Sequence, residues 1–374
     1  MQPTLHQIPL ASLTSGDTLF LQAYHFHGKQ AGKKVYIQSN LHGAEIAGNA
    51  VIYELLQFLR DLDSAQLTGD IWLVPMCNPL GSNQRTHHFS SGRFNPYDGH
   101  DWNRIFWDYE QQGDLDDFVK RHHADDPITL QHHYRQQMAA AFSQIEQDMD
   151  SPQGVPFRER YRYHLQGLCL DADYLIDLHS SSNQGVNYLY YFARREESAH
   201  LFLLPAGILL DRYDGDAFDE AFIKPWLALE QRLAQAGRQI RFDIEAWTLE
   251  LGSGLRMQPD SVAKGVRGIK NYLAAKGVLA LPDFPVSLPS YHDVRFTTSS
   301  KLARYYAPEG GMVQPLVSLG ALVEAGQPLY RLLCFDKRQP EPQMLVVPAQ
   351  QTGLVFDMAL NQAVNQGEYV LGIL

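Results

Sequence analysis

The chain has 374 residues, 45% hydrophobic and 20% charged, which is the balance of an ordinary soluble globular protein and enough length for a large catalytic region plus a smaller second one. Its net charge of -11 argues against nucleic acid as a partner, because neutralising phosphates needs a basic face, although a local arginine cluster still leaves room for a small anionic ligand. No apolar run approaches the roughly 18 residues of a membrane span, no basic-then-apolar leader opens the chain, and Cys77, Cys169 and Cys334 are too few and too scattered for a disulfide framework or a thiolate metal site, so a cytoplasmic protein without a membrane partner is expected.

In chain order, Thr18 to Tyr24 and Lys34 to Ser39 read as short strands. Ala44 to Leu59 carries Ile46, Ala50, Leu55, Leu56 and Leu59 at helical spacing. Asp70 to Met76 is a compact apolar run that suits a buried strand, closed by the turn Asn78-Pro79. Gly81 to Gly99 is a long polar loop, the kind that is functional when it occurs in a compact domain. Trp107 to Tyr163 (the segment of about 107–165) is polar and helical with a break at Asp126-Pro127, and reads as an insert. Strands return at Tyr174 to Leu178, Val186 to Phe192, Ile208 to Leu210 and Glu245 to Leu251, with helices at Ala217 to Ala236 and Ser261 to Lys276, the latter stopped by Gly277. Strands alternating with helices of this length predict an α/β fold, a mainly parallel mixed sheet flanked by helices, over residues 1–285. Leu281 to Pro289, with three prolines, reads as a linker. The remainder, 290–374, has short strand-like pieces cut by Gly310-Gly311, Gly320, Gly326, Gly353 and Gly367, and predicts a small C-terminal all-β domain.

Three groups of residues carry chemistry. His42-Gly43-Ala44-Glu45 places imidazole and carboxylate at i and i+3 where a strand gives way to a helix, and His179 ends a second strand in I-D-L-H-S-S. Zinc takes such nitrogen and carboxylate ligands and, in a catalytic site, keeps a position open for water. In a parallel sheet the ends of the strands share the edge where binding sites form. Between these ligands a polar loop holds Arg85, Arg93 and Asn103-Arg104. Arginine grips carboxylates with two parallel hydrogen bonds and stabilises a developing oxyanion; the residues alone leave Arg85 and Arg93 as equal candidates for the latter role. Glu250 sits inside the apolar strand W-T-L-E-L-G, where a carboxylate is costly unless it is paired or functional. Beside a metal-activated water it would act as base and then as acid. Glu245, at the start of the same strand, is the blander of the two.

Taken in order, H-G-A-E, N-P-L-G, D-W-N-R, D-L-H-S and T-L-E-L-G resemble the succinylglutamate desuccinylase and aspartoacylase family, which is similar to the zinc carboxypeptidases. The resemblance implies one zinc ion per chain on His42, Glu45 and His179, with Glu250 as general base and acid. It implies that Asn103 and Arg104, with Arg85 as a further candidate, bind the substrate carboxylate, and that an arginine ahead of the D-W-N-R box polarises the scissile carbonyl, Arg93 fitting best. The implied reaction is hydrolysis of the amide bond of a small anionic N-acyl amino acid. Trp102 replaces the family's leucine and the helical segment is an addition; both are expected near the substrate mouth, so the resemblance implies the reaction class rather than a particular acyl amino acid. The glycine-punctuated C-terminal region resembles a biotinyl/lipoyl-like sandwich without a lysine at the turn that carries the cofactor, which implies a domain that narrows the entrance instead of a carrier.

Two other readings stay open on the residues alone: a zinc carboxypeptidase acting on peptides or cell-wall fragments, and a non-catalytic binding protein. A homo-oligomer is also open. Asp177, two residues before His179, is either a carboxylate that orients the histidine or a buried strand-end acid. His87 and His88 read as solvated loop residues, and His122, His123, His132 and His133 as a solvated helix face.

Overall fold

Tyr174–Ser181 is buried along its whole length, as a strand must be when it has neighbours on both edges and helices on both faces. It is the middle strand of a nine-stranded sheet in the computed structural model, which describes residues 1–88, 91–287 and 295–374. The chain begins with β1 (Thr4–Ser12), β2 (Thr18–His27), β3 (Gln30–Ser39), α1 (Ala47–Asp61), β4 (Thr68–Val74) and α2 (Pro79–Asn83). A helical layer follows: α3 (Leu115–His122), α4 (Pro127–Met149) and α5 (Phe157–Cys169). Then come β5 (Tyr174–Ser181), β6 (Gln184–Gly185), β7 (Asn187–Tyr191), α6 (Glu196–Ala199), β8 (Ala206–Leu209), α7 (Phe218–Gln235), β9 (Glu245–Ser253), α8 (Pro259–Ala275) and β10 (Arg295–Thr298).

The large sheet runs β1-β2-β4-β3-β5-β9-β7-β8-β10. It is mixed: β4, β3, β5 and β9 are parallel, as are β7, β8 and β10, whereas the β1–β2, β2–β4 and β7–β9 pairs are antiparallel. Sequence reading anticipates the parallel centre but not β1. That strand contains Pro9 and shifts register between Pro9 and Ala11, which an edge position tolerates. Residues 295–298, assigned from the sequence to the C-terminal domain, instead pair with β8 as the last strand of the large sheet. Residues 288–289 of the expected linker, and the expected boundary at 290, lie outside the described residues.

Period-two alternation splits the strands between two cores. Tyr174, Ile176 and Leu178 of β5 join α1 and α8 on one face, through Val51, Leu55, Ile269 and Leu273. Leu175 faces the other side, where α3, α4, α5 and α7 pack. The helical segment is therefore no appendage. Phe118, Leu130, Tyr134, Phe142 and Leu165 are all buried there, and the break at Asp126-Pro127 is a helix start, Asp126 accepting from Ile128 N and Thr129 N with proline in the first turn. Trp102 belongs to the same core. It is fully buried and meets Tyr161 and Phe157 of α5 at ring-centroid distances of 5.2 and 6.4 Å, so the departure from leucine fills space against the added helix instead of lining the mouth.

The C-terminal part holds β11 (Ala303–Tyr306), β12 (Gly311–Pro315), β13 (Leu322–Val323), β14 (Pro328–Cys334), β15 (Gln343–Pro348), β16 (Gly353–Met358), β17 (Ala363–Val364) and β18 (Tyr369–Ile373). They form two antiparallel sheets, β11-β18-β16-β13 and β15-β14-β12-β17, around one apolar cluster that includes Val313, Leu332, Val355 and Leu371. The short strand β6 pairs with β16, so the segment just after β5 is held by the C-terminal sheet. Among the described residues, no helix is long and apolar enough to cross a membrane. All three cysteines are buried and unpaired.

If the helical layer is core, truncating it is expensive. Phe142→Ala, which removes a buried ring packed at an angle against Trp107 and edge-on to Tyr163, is expected to lower stability by about 3–5 kcal/mol in equilibrium urea denaturation. A loss under about 0.5 kcal/mol, the surface value, would contradict this placement.

Candidate metal centre and its cavity

β3 ends at Ser39, and the next residue, Asn40, turns the chain with a left-handed φ of 69°. Its side-chain amide then donates to the carbonyls of His42, Gly43 and Glu45 at 3.3, 3.1 and 3.3 Å, and so shapes the H-G-A-E loop from within. Three glycines let neighbouring backbones meet there. A Cβ on Gly43 would lie 2.1 Å from the Gly81 carbonyl oxygen, and one on Gly92 2.3 Å from the same atom. The N-P-L-G turn thus has a mechanical role: Asn78 donates to Leu41 O at 2.8 Å and accepts from Gly81 N at 2.9 Å, fastening α2 under the loop. Gly43 N donates to Gly92 O at 3.0 Å, which brings Arg93 alongside.

At the top of the sheet, His42, Glu45 and His179 converge, all buried. His42 Nδ1 lies 2.9 Å from Glu45 Oε1, and His179 Nδ1 lies 2.8 Å from Glu45 Oε2. Both rings have a carboxylate at the opposite nitrogen. His42 Nε2 is 2.9 Å from Asp101 Oδ1, and His179 Nε2 is 3.0 Å from Asp177 Oδ2. Asp177 in turn accepts from Gln38 Nε2 at 3.0 Å, and Gln38 Oε1 from Tyr36 OH at 3.0 Å. Burial alone would push the Glu45 carboxyl up, but the two imidazoles hold it well below the ordinary carboxylate range. Burial likewise works against a charged His179, yet Asp177 and then Glu45 raise it well above the usual imidazole value. The donor set fits a divalent cation: two Nδ1 atoms and a carboxylate face one point, and each ring is oriented from behind by an acid, the arrangement typical of metal-ligating histidines.

Of the residues singled out in the sequence, Arg93, Asn103, Arg104 and Glu250 join His42, Glu45 and His179 around one cavity of about 970 Å³. Arg93 sits at the edge of the cluster, its Nε 3.0 Å from Asp101 Oδ2, its Nη1 donating to Ser182 Oγ at 2.9 Å and lying 3.5 Å from Glu45 Oε1. Asn103 accepts from Phe218 N at the start of α7, and Arg104 lines the cavity, its Nη1 donating to Asn103 O at 2.5 Å and its Nε 3.7 Å from Asp216 Oδ1. Arg85 is not brought in. Its guanidinium is exposed and donates to the carbonyls of Ser82 and Gln84 in its own loop, so between the two arginines only Arg93 meets the cluster.

The two glutamates of β9 have opposite surroundings. Glu245 is fully buried and saturated, with Ser198, Arg241 and Lys276 on one oxygen and Tyr272 on the other. Glu250 is paired across the parallel strands with His179, is only partly covered, and lines the cavity with its Oε2 sealed from bulk water and without a hydrogen-bond partner. Desolvation, then the nearby Glu45 charge, push its carboxyl up to about 7. A carboxyl poised in this range suits proton transfer at neutral pH.

The sequence left several site residues unassigned. Asp101 is the clearest: it backs His42, 59 residues distant, although its place in D-W-N-R is a signal. Tyr188 and Tyr190 of β7, Arg212, and Arg304, Asp357 and Tyr369 from the C-terminal strands also line the cavity. Nothing local marks them, because they arrive from distant segments, most of them by strand pairing.

Comparison with known proteins follows the same outline. The family model for the succinylglutamate desuccinylase/aspartoacylase catalytic domain matches residues 31–276. A solved protein of that family from Shewanella amazonensis is 32% identical, with a TM-score of 0.87 over 99% of this chain and 98% of its own. Another, from Shewanella frigidimarina, is 28% identical with a TM-score of 0.88 over 100% and 97%. The product-bound ectoine utilization protein EutE from Ruegeria pomeroyi shares the fold at 18% identity and a TM-score of 0.68 over 100% and 95%. No curated protein sequence matches the chain.

The state of Glu250 predicts a pH-dependent cost. The folded chain keeps this proton up to about pH 7, whereas the unfolded chain releases it near the ordinary value of 4.5. The native state therefore binds more protons across that window, and stability falls as pH rises through it. In thermal melts of metal-free protein, Glu250→Gln is expected to raise the midpoint relative to wild type more at pH 8 than at pH 5. A difference that does not change with pH would contradict the assignment.

Proposed function

This chain belongs to the succinylglutamate desuccinylase/aspartoacylase family, and from that premise we propose that it is a zinc-dependent hydrolase of the amide bond in small anionic N-acyl amino acids. One zinc ion per chain would be held by His42, Glu45 and His179. The observation that carries the reading is the unpartnered Glu250 Oε2 in the same cavity as the buried His–Glu–His cluster. The mixed sheet with its site at the ends of parallel strands supports a carboxypeptidase-like catalytic region. The two C-terminal antiparallel sheets support a biotinyl/lipoyl-like sandwich whose residues Arg304, Asp357 and Tyr369 narrow the entrance.

Zinc bound there would supply a Lewis acid that polarises the acyl carbonyl and lowers the pKa of water toward 7. The chain's own groups do the rest. Asp101 and Asp177 keep the imidazoles turned so that Nδ1 faces inward. The Glu250 carboxylate takes a proton from the attacking water and returns it to the leaving amine nitrogen. Arg93 Nη1, at the cluster's edge, donates to the oxygen on which negative charge develops. Asn103 and Arg104 grip the substrate carboxylate and fix the acyl carbon over the base. Closing one side of the cavity with the C-terminal strands favours a short acyl amino acid over a peptide.

The test compares acetyl- and succinyl-amino acids with blocked dipeptides as substrates of the zinc-loaded protein. Cleavage of the acyl amino acids is expected, with Glu250→Gln losing about 10²–10⁴-fold in kcat at little change in KM. Preference for blocked dipeptides would move the reading to a carboxypeptidase. Acyl amino acids bound equally by wild type and Glu250→Gln, and cleaved by neither, would make it a binding protein.

A further inference from the structure

We propose that His122, Asp125 and His133 form a second divalent-cation site, separate from the cavity. The sequence reads these histidines as a solvated helix face; the fold instead brings them together at the turn between α3 and α4. His122 Nδ1 and His133 Nδ1 approach Asp125 Oδ2 at 2.8 and 2.9 Å, and the two rings lie 4.6 Å apart. Two imidazole Nδ1 atoms on one carboxylate is also the donor pattern of the His42–Glu45–His179 cluster. Two imidazoles and a carboxylate select a borderline cation such as zinc, nickel or copper(II) over calcium or magnesium. Three protein ligands leave the remaining positions to water.

The site is held in shape by bonds that do not use its ligand atoms. Arg238, just beyond α7, donates to the carbonyls of His123 and Asp125, the latter at 2.6 Å, and so pins the turn from outside. His122 packs on the buried Phe118 ring at 4.5 Å, and Phe118 packs on Tyr134, the residue after His133, at 5.0 Å. Asp126 caps α4, which fixes the direction of the helix that carries His133. All three ligands are partly covered, at 20%, 26% and 36% side-chain exposure, so a cation would lose only part of its hydration and remain reachable. His25, His27 and Asp70 form a comparable group on β2 and β4, but His27 is 76% exposed, which makes that group a useful control. A cation at 122–125–133 would staple the end of α3 to the second turn of α4, across the layer that covers one face of the large sheet.

The test is calorimetric titration of chelator-stripped full-length protein with zinc chloride. His133→Ala is expected to bind one equivalent fewer than wild type, His122→Ala to reproduce the loss, and His27→Ala to leave the stoichiometry unchanged. Circular dichroism of each variant confirms that the fold survives. Because none of these residues touches the cavity, the difference is read whether or not the cluster at His179 binds metal. Equal stoichiometry in wild type, His133→Ala and His122→Ala would overturn the proposal, as would a loss that follows His27 instead.

Discussion

Glu45 is a carboxylate taken almost completely out of water, and the rest of the site follows from what that requires. An unpaired buried charge is expensive, so both of its oxygens meet an imidazole, and each imidazole must itself be held. Asp101 and Asp177 hold them, and they reach the cluster from different parts of the chain: Asp177 from inside β5, Asp101 from the loop folded over the H-G-A-E turn. The loop can fold that way because Gly43, Gly81 and Gly92 allow three backbones to touch. Arg93 then closes the circuit by pairing with Asp101 beside Glu45. Such a cluster is a stiff, pre-charged cradle, and a cation is the ligand that such a charge pattern best accommodates.

The two glutamates of β9 show how one strand serves both stability and chemistry. Glu245 spends its charge on four partners and knits α8 to the sheet. Glu250, five residues further along, has an oxygen left without a partner in a cavity that the C-terminal strands also line. Arg304, Asp357 and Tyr369 come from those strands, and β6 pairing with β16 ties the segment after His179 to them. The C-terminal sheets therefore contribute to the cavity wall, which ties the size of the cavity to the packing of one part of the chain on the other.

Much of this is legible in the sequence where the signal is local. His42 and Glu45 share one turn, His179 and Glu250 end apolar strands, and strand-helix alternation from 30 to 275 gives the parallel centre of the sheet. The parts that stay hidden depend on contacts between distant segments. β1 carries a proline and becomes a strand only by pairing with β2; 295–298 joins the large sheet only because β8 offers an open edge. Trp102 reads as a change at the mouth, but it sits in the turn that follows Asp101 and its ring is buried against Tyr161. Arg85 and Arg93 are equal on the residues alone; the resemblance favours Arg93, and the Gly43–Gly92 contact places Arg93, not Arg85, beside the cluster. The polarity of 107–163 conceals a helical layer whose narrow apolar face is buried in the core through Phe118, Leu130, Tyr134 and Phe142.

Elemental analysis of purified wild type beside His179→Ala decides whether His42, Glu45 and His179 hold zinc. The variant, still folded, is expected to carry one zinc per chain fewer than wild type. Equal zinc in the two proteins, or none in wild type after zinc is supplied, would contradict this assignment.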